Sequence, residues 1–167
     1  RCSVEEGATA AIAWEPIDAN QLLKLNGAEL KGQVGWTDGT IESTGGTTVT
    51  GTLTRSTPSA KQLNGPLTNA VVFSARGGDI TLGVNPDSGE PGQIDNQGEF
   101  EFRRATTVRN DANNPAGEFV NAAGAILKVN PDNPFENVEI ESPLENFGAV
   151  VVQDEAFMAR NLRQYNA

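Results

Sequence analysis

Apolar and polar residues alternate most clearly in residues 47–55, where Val49, Gly51 and Leu53 interleave with Thr48, Thr50, Thr52 and Thr54. A period of two sends successive side chains to opposite faces of a strand, so this segment predicts a β-strand with an apolar inner face and a threonine outer face. Residues 71–73 and 80–84 read as two more strands, joined by Arg76-Gly77-Gly78-Asp79. Phe100 and Phe102 alternate with Glu99, Glu101 and Arg103, and Val108 carries the pattern onward. Residues 125–129, 138–140 and 148–152 complete about eight short strands, a spacing that suggests two packed sheets or a barrel.

The connections carry their own signals. Thr37-Asp38-Gly39-Thr40 predicts a hairpin between Val34/Trp36 and Ile41, because Asp-Gly supplies the positive φ of a tight turn. Asp18 is placed to cap a short helix over residues 20–25, stopped by Asn26-Gly27, although Leu22, Leu23 and Leu25 fit a strand as well. Thr81-Leu82-Gly83-Val84-Asn85-Pro86-Asp87 is echoed by Ile126-Leu127-Lys128-Val129-Asn130-Pro131-Asp132, an echo explained by two strands ending in the same good turn. Residues 85–98 and 110–118 are long polar loops. At the end of the chain, residues 155–163 hold helix formers, with Phe157, Met158 and Leu162 on one side. Asp154 and Glu155 precede them, and Arg160 and Arg163 follow, the charge order that complements a helix dipole.

The expected fold is therefore all-β and mainly antiparallel. It is a β-sandwich or a jelly-roll or barrel-like single domain over 1–167, with an extended N-terminal arm (1–16) and a short C-terminal helix (154–167).

Charge and composition remove whole classes of function. A net charge of −10 and a pI near 4.4 repel phosphate backbones, so no nucleic acid is expected as partner. No apolar run approaches the ~20 residues of a membrane span. The chain has no His, which removes the triad hydrolases and the usual Cys/His zinc sites. Its one cysteine, Cys2, cannot form an internal disulfide but could bridge two subunits. Arg1 in place of Met fits a processed or a trimmed terminus.

What chemistry remains is sparse. Glu99 with Glu101, and Glu139 with Glu141, are the nearest carboxylate pairs to a glycosidase arrangement, but alternating strand glutamates ordinarily face solvent. No organic cofactor is implied. Calcium is the one metal whose ligand chemistry the loops offer, with Asp87, Glu90 and Asp95 as candidates and Asp111, Asn113 and Asn114 in a second loop. Between residues 132 and 155 lie seven acids and no Lys or Arg. This block could face solvent, or meet a basic patch of Arg103, Arg104 and Arg109 on another copy.

These readings point to a non-enzymatic structural subunit that self-assembles into a larger particle, in a virion or at a cell surface. The leading form is a phage virion component, such as a capsid decoration or tail-type protein. Its assembly contacts would be Trp14, Phe157, Met158, Leu162, Arg103 and Arg104. The alternatives are a secreted pilin-like or surface-filament subunit, with residues 8–14 as a donated strand, and a soluble carbohydrate-binding module using Trp14 or Trp36.

Overall fold

A computed structural model describes residues 2–4, 9–13, 22–55, 59–113, 116–133, 135–153 and 157–165. Among them the chain winds as a parallel β-solenoid. The winding begins with β1 (Cys2–Val4) and β2 (Thr9–Ala13), then β3 (Leu22–Leu25) and β4 (Glu29–Gly35). Five complete three-stranded rungs follow. They are β5 (Gly39–Ser43), β6 (Thr48–Val49) and β7 (Thr52–Arg55); β8 (Lys61–Asn64), β9 (Pro66–Asn69) and β10 (Val72–Ala75); β11 (Ile80–Gly83), β12 (Gln93–Asn96) and β13 (Glu99–Phe102); β14 (Thr106–Asn110), β15 (Glu118–Asn121) and β16 (Ile126–Val129); and β17 (Val138–Ile140), β18 (Leu144–Asn146) and β19 (Ala149–Val152). A last partial rung holds β20 (Phe157–Ala159) and β21 (Leu162–Gln164).

The first strand of each rung stacks on the first strand of the next, giving face one, and the second and third strands likewise give faces two and three. The long β4 serves two faces: Glu29 and Leu30 pair with β6, whereas residues 33–35 pair with β7. Every strand pairing among the described residues is parallel, apart from one isolated antiparallel bridge between Val84 and Pro91.

Alternation works as the sequence implies. Val49, Leu53, Phe100 and Phe102 all point inward and are buried. The inner column of face three runs Leu53, Phe73, Phe100, Leu127, and the Phe73 and Phe100 rings stack with centroids 4.3 Å apart. Phe119 of face two forms a T-shaped pair with Phe100 across the core, with centroids 4.9 Å apart. One contiguous core therefore runs along the rod, and each rung buries its apolar face only because neighbours cover it.

The antiparallel sandwich, jelly-roll or barrel is overturned, and so is the C-terminal helix. No helix occurs among the described residues: Phe157–Ala159 and Leu162–Gln164 are strands, and so is Leu22–Leu25. Residues 1–16 likewise do not form a free arm where they are described, since β1 pairs with β3 and β2 with β4. Arg160 and Arg163 complement glutamates one rung below rather than a helix dipole. The Asp38-Gly39 turn has the expected positive φ (80° at Gly39), yet it turns a corner between faces and does not close a hairpin. The strands on either side of residues 76–79 also belong to different faces, and the echoed segments ending at Asp87 and Asp132 lie on faces one and three. The single strand expected over 47–55 breaks at a corner around Gly51, where a Cβ would come within 2.0 Å of the Gly32 carbonyl oxygen. Gly65 is equally constrained: φ is 92° and a Cβ would lie 1.9 Å from the Ser43 oxygen, so the corner between β8 and β9 admits only glycine.

Candidate functional site

The carboxylates singled out from the sequence are held by cations of the same chain. Glu101 lies beside Glu99 on β13, and the next rung places Lys128 opposite. Its Oε2 accepts from Arg103 Nε at 2.7 Å, and its Oε1 lies 3.2 Å from Lys128 Nζ. Burial pushes the Glu101 carboxyl up, but hydrogen bonds and charge from Arg103 and Lys128 together hold it below its ordinary 4.5. A depressed acid contributes stability that is fully present above the unfolded value and is lost as pH falls through the folded one. Acid titration from pH 5 to pH 2, followed by equilibrium unfolding, should therefore destabilise the parent more steeply than Glu101→Gln, which has no such proton to take up.

Glu139, Glu141 and Glu145 also pair with cations of the same chain. Arg160 of the last rung lies 2.7 Å from Glu139 and 3.2 Å from Glu141, and Arg163 lies 3.2 Å from Glu145. Much of the acidic block is thus neutralised from within the chain, one rung up. Arg103 and Arg104 both approach Asp132, at 3.7 and 4.0 Å, and Arg109 pairs with Asp79 at 3.1 Å. The basic residues expected on another copy have partners in their own.

The calcium candidates are spread apart by other duties. Asp87 sits on a loop that reaches back to Lys24, which also pairs with Glu42 at 2.8 Å. Glu90 accepts from the Gly45 amide at 3.2 Å and from the Ser88 hydroxyl at 2.9 Å. Asp95 accepts from Gln97 at 2.7 Å. No group of three potential metal-ligating acids, Cys or His converges among the described residues. Asp111 instead caps its own turn at Asn113. Trp36 is fully buried in the core, and Trp14 lies outside the described residues. A shallow polar groove of about 390 Å³ crosses β5, β8 and β11 on face one, floored by Thr40, Gln62 and Thr81 and flanked by Asp38 and Asp111. No aromatic side chain lines it.

A buried polar ladder escaped the sequence reading. Asn69, Asn96, Asn121 and Asn146 occupy one register at the end of face two. Each donates to the next carboxamide, at 2.8, 2.8 and 2.6 Å, and Asn146 donates to Gln164 at 2.6 Å. The remaining donor capacity goes to the backbone, for example from Asn96 to the Ile126 carbonyl at 3.0 Å. The signal was present as Leu67-Thr68-Asn69, Ile94-Asp95-Asn96, Phe119-Val120-Asn121 and Leu144-Glu145-Asn146, an apolar residue two places before each Asn.

The expected assembly residues Phe157, Met158 and Leu162 come together at the last rung. Along the inner column of face two, exposure is 2% at Leu67, 2% at Ile94, 0% at Phe119 and 0% at Leu144, then 49% at Leu162. Face one ends similarly, with Phe157 and Ala159 only partly covered above Val138 and Ile140, and face three ends with Val150 partly covered and Val152 exposed. The Phe147 and Tyr165 rings stack at 4.4 Å on the outer corner beside this tip. Solenoids ordinarily close with a polar cap, and none covers this rung among the described residues. No helix among the described residues is long and apolar enough to cross a membrane.

Comparison with known proteins is silent: no protein family, no curated protein and no solved structure matches the chain.

Proposed function

We propose that the chain is a non-enzymatic structural subunit that self-assembles into a larger particle, with a virion component of the decoration or tail type as the first reading. The observation that supports it is that core-column positions sealed along the rod are exposed on its last described strands, 49% at Leu162 and 44% at Val152. Burying a side chain the size of leucine or phenylalanine contributes about 1.5–3 kcal/mol, so a surface that leaves several partly exposed favours a partner. The interior supports the same reading. The buried ladder and the stacked Phe column are devices for a stiff rod, and the carboxylate pairs serve as ion-pair rungs.

A surface-filament subunit is the second reading, favoured by the position of the apolar surface at the end of the rod. The test is sedimentation velocity over a wide dilution series, combined with electron microscopy of the largest species. The expected result is mass that grows with concentration. Closed particles would favour decoration and long threads a filament, while a monomer at every concentration would overturn self-assembly.

A further inference from the structure

We infer that the partner of the open last rung is the first rung of a second copy, added head to tail, so that β1 of the incoming chain continues face one beyond β20 while β2 continues face two beyond β21. The inference rests on the self-assembly reading above and specifies its surface and direction.

The argument begins with hydrogen bonding. Among the described residues β20 pairs only with β17, and β21 only with β18. At the other end, again among the described residues, β1 pairs only with β3 and β2 only with β4. The last end therefore presents three strand edges, β20 on face one, β21 on face two and β19 on face three. The first end presents β1 on face one and β2 along the stretch of β4 that serves faces two and three, in the same chain order as β20 and β21. An unpaired edge is a template for another strand, and natural proteins blunt such edges with proline, inward charges or a covering segment. The inward positions of the last rung are Phe157, Ala159 and Leu162, which are apolar, and Gln164, which ends the carboxamide ladder; neither strand contains proline or an inward charge.

Direction follows from the geometry of the faces. All rungs are parallel and wind in one sense. Two last rungs brought together about a two-fold axis would run their faces in opposite order. One strand could then meet its equivalent, while the others faced the wrong neighbours. Head-to-tail addition lets the edges on faces one and two pair together and keeps the order of the faces. It is a heterologous contact, and each added copy presents a new open last rung, so the assembly extends instead of closing.

The side chains at the tip fit strand addition better than charge-driven docking. Arg160 and Arg163 are already engaged by glutamates of the rung below. What remains unmatched is apolar surface, namely Leu162 and the partly covered Phe157. Tyr165 extends the outer corner, stacked on Phe147.

The experiment uses the 167-residue chain in two arms. In the first, Leu162→Glu places a carboxylate on the tip, and sedimentation velocity is read beside circular dichroism. At least a tenfold higher concentration should be needed for association, with an unchanged spectrum. In the second, Met158→Cys and Ser3→Cys in a Cys2→Ser background put thiols at outward register positions of the last and first rungs, and a short bismaleimide joins thiols that lie close together. The expected product is a ladder of trimers and larger species, and no cross-linked species in the Met158→Cys, Cys2→Ser double variant. Dimers that persist in the double variant would overturn head-to-tail addition in favour of tip-to-tip contact. Association that ignores Leu162→Glu, with no ladder, would place the interface elsewhere while leaving self-assembly standing. A parent chain that stays monomeric would remove both.

Discussion

Replacing Phe100 by Ala should lower the unfolding free energy by about 3–5 kcal/mol, the largest single effect expected in this chain. The ring is fully buried at the centre of the rod. Its ring centroid lies 4.3 Å from that of Phe73, on which it stacks, and 4.9 Å from those of Phe102 and Phe119, the latter in a T-shaped arrangement. Collapse into the void is restricted, because β13 is fixed on both sides by parallel ladders to β10 and β16. The cost should therefore lie near the upper part of the range, and Phe100→Leu should recover about half of it, since the apolar volume is partly restored. Equilibrium unfolding in urea measures both. Because a rung contacts only its neighbours, a second transition in Phe100→Ala would mean that the two ends of the rod have been uncoupled. A loss below about 1 kcal/mol would contradict the central packing role.

Substitution of Asn121 should be almost as severe, for a different reason. Its carboxamide accepts from Asn96 at 2.8 Å and donates to Asn146 at 2.6 Å and to the Ala149 carbonyl at 3.1 Å. Asn121→Ala strands a donor on one rung and acceptors on the next, away from water, at about 1–3 kcal/mol for each group left unsatisfied. A total near 3 kcal/mol is expected once local relaxation is allowed for. Asn121→Asp adds a distinguishing sign. An ionised carboxylate cannot donate to Asn146, and burial favours its neutral form, so its folded pKa should rise above the ordinary ~3.9. A raised acid costs nothing below its unfolded value and progressively more above it. The variant should thus lose stability relative to the parent between about pH 4 and pH 7, the opposite direction to the Glu101 contribution. A pH-independent difference would argue against a sealed ladder.

The polar ladder and the tip show how far a one-dimensional reading reaches. The apolar-x-Asn pattern was legible at Leu67, Ile94, Phe119 and Leu144, but its members stand 27, 25 and 25 residues apart in the pairings that join them. On face one the step from rung to rung is 18 residues from Leu23 to Ile41 and 32 from Val108 to Ile140. Loops of unequal length, such as the one carrying Asp87 back to Lys24, absorb the difference and hide the repeat. The order Asp154, Glu155, Arg160, Arg163 fitted a helix dipole, yet the same arginines satisfy Glu139, Glu141 and Glu145 across a rung. Local charge order alone does not distinguish the two.

The sequence by itself determined the strand-rich character, the inward positions of Val49, Leu53, Phe100 and Phe102, and the positive-φ turn at Gly39. These depend on the two-residue period, on backbone sterics and on side-chain solubility, all of which act within a few residues. Only the tertiary structure decided that the strands run parallel, that the asparagines from Asn69 to Asn146 form one ladder, and that Phe157 and Leu162 lie on two faces of the last rung and not on one side of a helix. Alternation is the same whether a strand's neighbour runs parallel or antiparallel. Which edge it meets depends on how far the intervening loop carries the chain before it returns.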